Sequence, residues 1–176
     1  MSRYKIFQNN LINYNAIAQY NYNSIKKLPN ITSITINFKG KQLIKNQLPA
    51  LQCIYLTEYF TNKVNYAVKR KNLKDKKKSI TGYGAQINEK SLYGFVEFLV
   101  IFILPLQIQI PKITFRQTKK FEVIVTFDIL NWTDMVITGG VEQLKPAKII
   151  IKTQTKSIEE AKTLLSYLNF PCSKLY

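Results

Sequence analysis

The apolar residues of this 176-residue chain change period repeatedly along its length, and this limits the possible folds more than any other feature. Ile31 to Phe38, ITSITINF, is β-branched nearly throughout and stops at Gly40, as a strand does. By contrast, Leu92, Phe95, Val96, Leu99, Phe102 and Ile103 recur at spacings of three and four. That is the stripe of a well-buried helix, with Asn88 as its N-cap and Pro105 closing it. A weaker helical pattern covers Ile6 to Tyr20, and another covers Leu48 to Phe60, with Pro49 in its first turn. Val64 to Lys69 and Ile80 to Asn88 read as short strands flanking a tip at Arg70 to Lys78; Phe121 to Ile129 and Lys148 to Thr155 read as two more. Ser157 with Glu160 matches the S-x-x-E capping box, ahead of an apolar stripe at Ile158, Ala161, Leu164, Leu165 and Leu168. Helices interleaved with hairpin-like strands predict an α+β sandwich, a mostly antiparallel sheet covered by helices on one face. The length suits one domain over residues 1–176, with a basic loop projecting at about 69–79.

Charge is distributed unevenly. Met1 to Lys78 holds 15 basic and two acidic residues, a net of +13, whereas Ser79 to Tyr176 holds 11 and eight, a net of +3. With +16 overall, such a chain repels itself and attracts a polyanion, so nucleic acid is the first partner to consider. Lysine outnumbers arginine 23 to three. The ammonium is a point charge suited to phosphate oxygens, whereas the guanidinium fork reads guanine edges, so backbone recognition is expected to dominate.

Several functions are disfavoured. No histidine occurs, which removes the usual general base, the commonest metal ligand and an imidazole pH switch. Glu97 and Glu122 lie in apparent core or strand patterns, so no paired-carboxylate site is assembled from spacing, and no catalytic residue, metal or cofactor is expected. Cys53 and Cys172 lack C-x-x-C spacing, which fits a reducing compartment. The longest apolar run, Phe98 to Leu106, is nine residues including Pro105, far below the roughly 20 of a spanning helix. Arg3 and Lys5 without an acid superficially mimic a transit peptide, but that stretch has one Arg and one Ser and is read as mature chain. Ile, Lys, Asn, Tyr and Phe supply 82 of 176 residues, the products of A/T-rich codons, which points to an organelle genome, mitochondrial before plastid.

Four collinear segments resemble one family. Tyr20 to Asn37, YNYNSIKKLPNITSITIN, followed by Phe38-Lys39-Gly40, is similar to the first-strand signature of the bacterial-type large-subunit ribosomal protein 5, the family that holds 5S ribosomal RNA. Lys148 to Pro171, KIIIKTQTKSIEEAKTLLSYLNFP, resembles its closing strand, T-x-A-K-S/T-x-E-E-A segment and final helix. FTNKVNYAVKRK, Phe60 to Lys71, is similar to its G-Q-K-P-x-x-T-x-A-R/K-K region, and the helix ending in Leu104-Pro105 matches one ending in A-L-P-R. Beyond it, Leu106-Gln-Ile-Gln-Ile110 replaces an Arg-rich family segment, and the Gly-rich middle of the projecting loop is replaced by lysines.

The resemblance implies a structural component of the central protuberance, here of a mitochondrial matrix ribosome. Its implied partners are 5S rRNA, large-subunit rRNA, P-site tRNA at the projecting loop, and neighbouring ribosomal proteins including a small-subunit head protein. It assigns RNA contact to Asn37, at the exposed end of the first strand, with Lys39 and Lys41 beside it, and to Asn62 and Lys63. The run Lys69, Arg70, Lys71, Lys74, Lys76, Lys77 and Lys78 is a candidate by charge, since a block of one sign repels itself without an anion. Tyr4, Tyr14, Tyr20 and Tyr22 could stack on bases but are expected to pack the first helix, and Phe95, Phe98 and Phe102 to lie in the core. The alternative is a non-ribosomal organellar RNA-binding factor, which shares the charge without the fixed partner.

Overall fold

The computed structural model describes residues 2–39, 51, 54, 55, 58, 66–71, 78–88, 91–107, 111–129 and 147–171. The N-terminal helix is built from α1 (Arg3–Phe7), a π-helical turn (Gln8–Ile12) and α2 (Asn13–Tyr20). Then come β1 (Asn30–Lys39), β2 (Tyr66–Lys71), β3 (Lys78–Asn88), α3 (Leu92–Phe98), β4 (Thr114–Lys119), β5 (Glu122–Ile129), β6 (Ala147–Gln154) and α4 (Ile158–Tyr167). The strands form one antiparallel sheet in the order β2-β3-β1-β6-β5-β4. This is the α+β architecture that the alternating periods imply.

Period two decides which face of the sheet is dry. In β6, Ala147, Ile149, Ile151 and Thr153 are buried, while Lys148 between them is exposed. Ile34 pairs with Ile151 and Ile36 with Ile149, and these two isoleucines of β6 pair in turn with Val125 and Phe127, so the buried rows run straight across three strands. The register of β1 shifts between Ile31 and Ser33. One extra residue there lets Ile31 join the same buried cluster as Ile34 despite their odd spacing.

The helices supply the other half of that cluster: Ile12 from the N-terminal helix, Leu92, Phe95, Val96, Leu99 and Ile103 from the α3 region, and Ala161, Leu164 and Leu165 from α4. Asn169 (φ 59°) takes the left-handed conformation that ends α4, and Phe170 turns back to bond Leu165 and to pack edge-on against Phe127, ring centres 6.1 Å apart. The Asn-Phe-Pro ending is therefore a helix stop with an apolar latch.

Two expectations need correction, and one strand was not read from the sequence. Asn88 is the last residue of β3, paired with Ser33, and the residue before α3 is Ser91. Phe102 is 50% exposed, because α3 passes into a π-helical turn, Leu99–Ile103. The wider turn rotates Ile103, four residues on, into the core and leaves Phe102 outside. β4 was not distinguished in the sequence, although it pairs with β5 through a turn at Lys120-Phe121. Of the helix read at Leu48 to Phe60, the four described positions, Leu51, Ile54, Tyr55 and Glu58, are helical, and the rest lies outside the described residues.

A buried polar knot ties the end of the N-terminal helix to the start of α4. Glu160, 2% exposed, accepts hydrogen bonds from the Tyr22 hydroxyl and the Lys156 backbone N–H, while its own N–H bonds Ser157 Oγ at 3.2 Å. Only this half of the capping box forms; the carboxylate reaches Lys156 rather than Ser157. Lys156 Nζ lies 3.7 Å from the Tyr22 ring centre. Burial pushes the Glu160 carboxyl above its ordinary pKa, against the lowering effect of the Lys156 and Ser157 N–H groups.

A carboxyl raised on folding favours the native state most when protonated, and that contribution is lost as pH rises through the raised value. Melting curves should therefore show the Tm of the wild type, relative to Glu160→Gln, increasing as pH is lowered from neutrality toward the ordinary carboxylate range; parallel curves would contradict this. Leu164→Ala, in the centre of the cluster, is expected to cost about 2–5 kcal/mol in chemical denaturation.

Candidate nucleic-acid interface

The face of the sheet opposite the helices is built from the alternate residues of the same strands. Reading across the register, one row holds Asn88, Ser33, Lys152, Ile124 and Arg116; the next Gln86, Thr35, Ile150, Thr126 and Thr114; a third Gly84, Asn37, Lys148 and Asp128. Hydroxyls, amides and three cations thus lie in rows beside one carboxylate. Lys148 and Arg116 are exposed and Lys152 is half-buried. Thr114 Oγ1 donates to the Thr126 carbonyl at 3.1 Å and sits 2.5 Å from Thr126 Oγ1, and Thr114 is exposed. Such a face offers donors to phosphate and sugar oxygens, with Ile124 and Ile150 half-buried among them.

Asn37 lies inside this arrangement rather than at an exposed strand end. It is 8% exposed, between Lys148 on one side and Gly84 on the other, and it has an interaction partner of its own.

At the other edge of the sheet, β2 and β3 form the basic hairpin. The register sets Lys71 opposite Lys78, Arg70 opposite Ser79 and Lys69 opposite Ile80, after an irregularity at Val68. The strands therefore run further than expected: Arg70, Lys71 and Lys78 belong to the ladder, not to the tip. Lys71 and Lys78 thus occupy paired ladder positions at this end of the hairpin. The backbone of Lys39 closes β1. Lys41, Asn62, Lys63, Lys74, Lys76 and Lys77 lie outside the described residues.

Most of the N-terminal tyrosines are committed to packing. Tyr22 is buried against Glu160, the Tyr20 hydroxyl bonds Thr163 at 3.1 Å, and Tyr4 packs on the core, leaving Tyr14 70% exposed. Glu97 is held below the ordinary carboxylate range chiefly by the Ser2 hydroxyl at 2.9 Å, and then by Arg3, whose Nε bonds it at 2.8 Å. Glu122 lies 3.8 Å from Lys119. The two glutamates thus serve separate surface contacts. Among the described residues no three His, Cys, Asp or Glu side chains converge as a metal site, and no helix is long and apolar enough to cross a membrane.

Sequence reasoning missed Arg116, Lys148 and Lys152. The signal was present in Lys148-x-x-x-Lys152, the positions of β6 that share a parity opposite to the buried Ala147, Ile149 and Ile151.

No family model matches the chain. It is 23% identical over 185 aligned positions to the large ribosomal subunit protein uL5m of Reclinomonas americana, covering 99% of this chain and all of that protein. It is 24% identical over 183 positions to the large ribosomal subunit protein uL5 of Buchnera aphidicola subsp. Cinara cedri, with 99% and 100% covered. The similarity runs along the full length of both uL5 proteins, on a chain whose strand and closing-helix motifs occur in the same order as the segments that resemble this family.

Proposed function

We propose that the chain is a structural constituent of the large ribosomal subunit of a mitochondrion, binding 5S rRNA and large-subunit rRNA in the central protuberance. The basic β2–β3 hairpin is directed at P-site tRNA, and neighbouring proteins, including one of the small-subunit head, complete its surroundings. The observation that carries this reading is the full-length similarity to uL5 proteins, one of them the mitochondrial uL5m. The two-faced sheet supports it: helices seal one side, and the other presents Lys148, Lys152 and Arg116 among hydroxyls and amides. Asn37, Lys39, Lys41, Asn62, Lys63, Lys69, Arg70, Lys71, Lys74, Lys76, Lys77 and Lys78 are proposed as the first-half RNA contacts.

Lysine-dominated contacts read phosphates and A-form shape more than base sequence. Six such contacts give a log-log salt slope of about −4 to −5. Replacing Arg116, Lys148 and Lys152 together by alanine should make that slope shallower by about two to three while leaving Tm within a few degrees; an unchanged slope would remove the open face from the interface.

Sedimentation of mitochondrial extracts at low salt and high magnesium tests the assignment as a whole. The chain is expected to travel with the large subunit. A chain left at the top of the gradient, with crosslinks scattered over messenger RNA instead of concentrated on ribosomal RNA, would favour a free RNA-binding factor.

A further inference from the structure

The N-terminal helix has two apolar faces. One, through Ile12 and Ala16, is buried. The other is open: Ile6, Phe7, Leu11, Tyr14 and Ile17 are all exposed. Phe7, Leu11 and Tyr14 follow the i, i+4, i+7 spacing of a seam on which another helix packs, and a helix apolar on all sides is normally covered on all sides. Beside α1 lies α3, whose π-helical turn adds Ile101 and the expelled Phe102, both exposed. Between the two helices runs a groove of about 340 Å³, lined by Tyr4, Phe7 and Ile101 together with the Arg3–Glu97 pair. Exposed apolar side chains scattered singly need no explanation, but these are gathered on two adjacent helices around one groove.

Charge selects what covers this surface. Along another flank of the same helix, Lys5 and Lys26 lie on one cleft with Asn9 and Asn13. Both lysines are exposed, and among the described residues neither pairs with a carboxylate. Glu97, the one acid within residues 2–20 and 91–107, is already held by Ser2 and Arg3. A covering element therefore needs an apolar seam with carboxylates along one margin. A lipid surface does not fill a groove between helices. RNA stacks its bases on aromatic planes, which leaves the aliphatic Ile6, Leu11, Ile17 and Ile101 uncovered. An amphipathic helix laid into the groove meets both requirements.

We propose that the outer face of the N-terminal helix docks an acidic amphipathic helix of a neighbouring ribosomal protein, an apolar side chain entering the groove between Phe7 and Ile101 and carboxylates lying against Lys5 and Lys26. The inference rests on the ribosomal reading and adds to it a protein contact on the helical side of the molecule, opposite the lysine rows of the sheet.

Carbodiimide treatment of purified large subunits tests it on the native protein, because the reagent joins an amine to a carboxylate only where the two touch. Peptide mass spectrometry is expected to find Lys5 or Lys26 coupled to an Asp or Glu of another protein, in a segment whose apolar residues recur at spacings of three and four. Coupling of neither lysine, or coupling to a segment without that pattern, would overturn the proposal. The groove is tested with the full chain and a synthetic helical peptide carrying a leucine seam flanked by glutamates. Leu11→Gln/Ile101→Gln is expected to weaken binding about tenfold, as loss of a central apolar anchor does, whereas the remote pair Lys112→Ala/Lys120→Ala changes it about twofold at most. Equal losses in the two variants, or tighter binding of a peptide with lysines in place of the glutamates, count against the docking. Vesicles of phosphatidylcholine and phosphatidylglycerol that retain the wild type but not Leu11→Gln/Ile101→Gln would assign the face to a lipid surface instead. If that variant does not fold, Tyr14→Gln, at the most exposed position of the seam, decides in its place, with a loss of about threefold expected and no loss contradicting the proposal. A chain that sediments with the large subunit but shows no such coupling refutes the docking alone, whereas one absent from the subunit refutes the parent reading.

Discussion

The pairing of β1 with β6 is the contact on which the rest of the molecule depends. It joins Ile34 and Ile36 to Ile151 and Ile149, residues from opposite ends of the chain, and every other strand is added outward from that pair. Because side chains alternate at each step, one register decision places isoleucines under the helices and lysines on the far side. A slip of a single residue would exchange the two sets. The bulge near Thr32, whose Oγ1 bonds the Lys152 carbonyl at 3.0 Å, helps fix the alignment by permitting only one fit of Ile31 and Ile34 to the core.

That arrangement also reconciles a strongly basic chain with a stable core. Salt bridges are a minor part of it: Arg3 to Glu97 is a surface pair, and Lys119 to Glu122 is a loose one. The buried carboxylate, Glu160, is answered by a backbone N–H and a tyrosine hydroxyl instead of a cation, with Lys156 lying over the tyrosine ring. Stability therefore comes from isoleucine, leucine and phenylalanine packing, while Lys148 stays exposed on the other face of the sheet.

The sequence made the strands and helices legible where one period ran unbroken. β1 and β6 show alternating or β-branched runs, and α4 carries its cap at Ser157. It failed where a local irregularity shifts the phase: the π-helical turn that expels Phe102, and the short, exposed β4, whose residues have no apolar alternation to reveal them. The basic hairpin was legible as charge, yet its extent was misjudged, since strand pairing can continue through lysines when the ladder itself holds them. The lysines of β6 were overlooked because a strand read for its core says little about its other side until the partner strands are known.

The position of β1 between β3 and β6 has a consequence for biosynthesis. During translation β3 emerges long before β6, so one flank of β1 is zipped early while the other remains an open row of amides and carbonyls until β6 has emerged as well. A nascent intermediate of this kind is sticky and cationic at once. Its maturation is a race between the arrival of the last strand and capture by whatever acidic or strand-like surface is nearest.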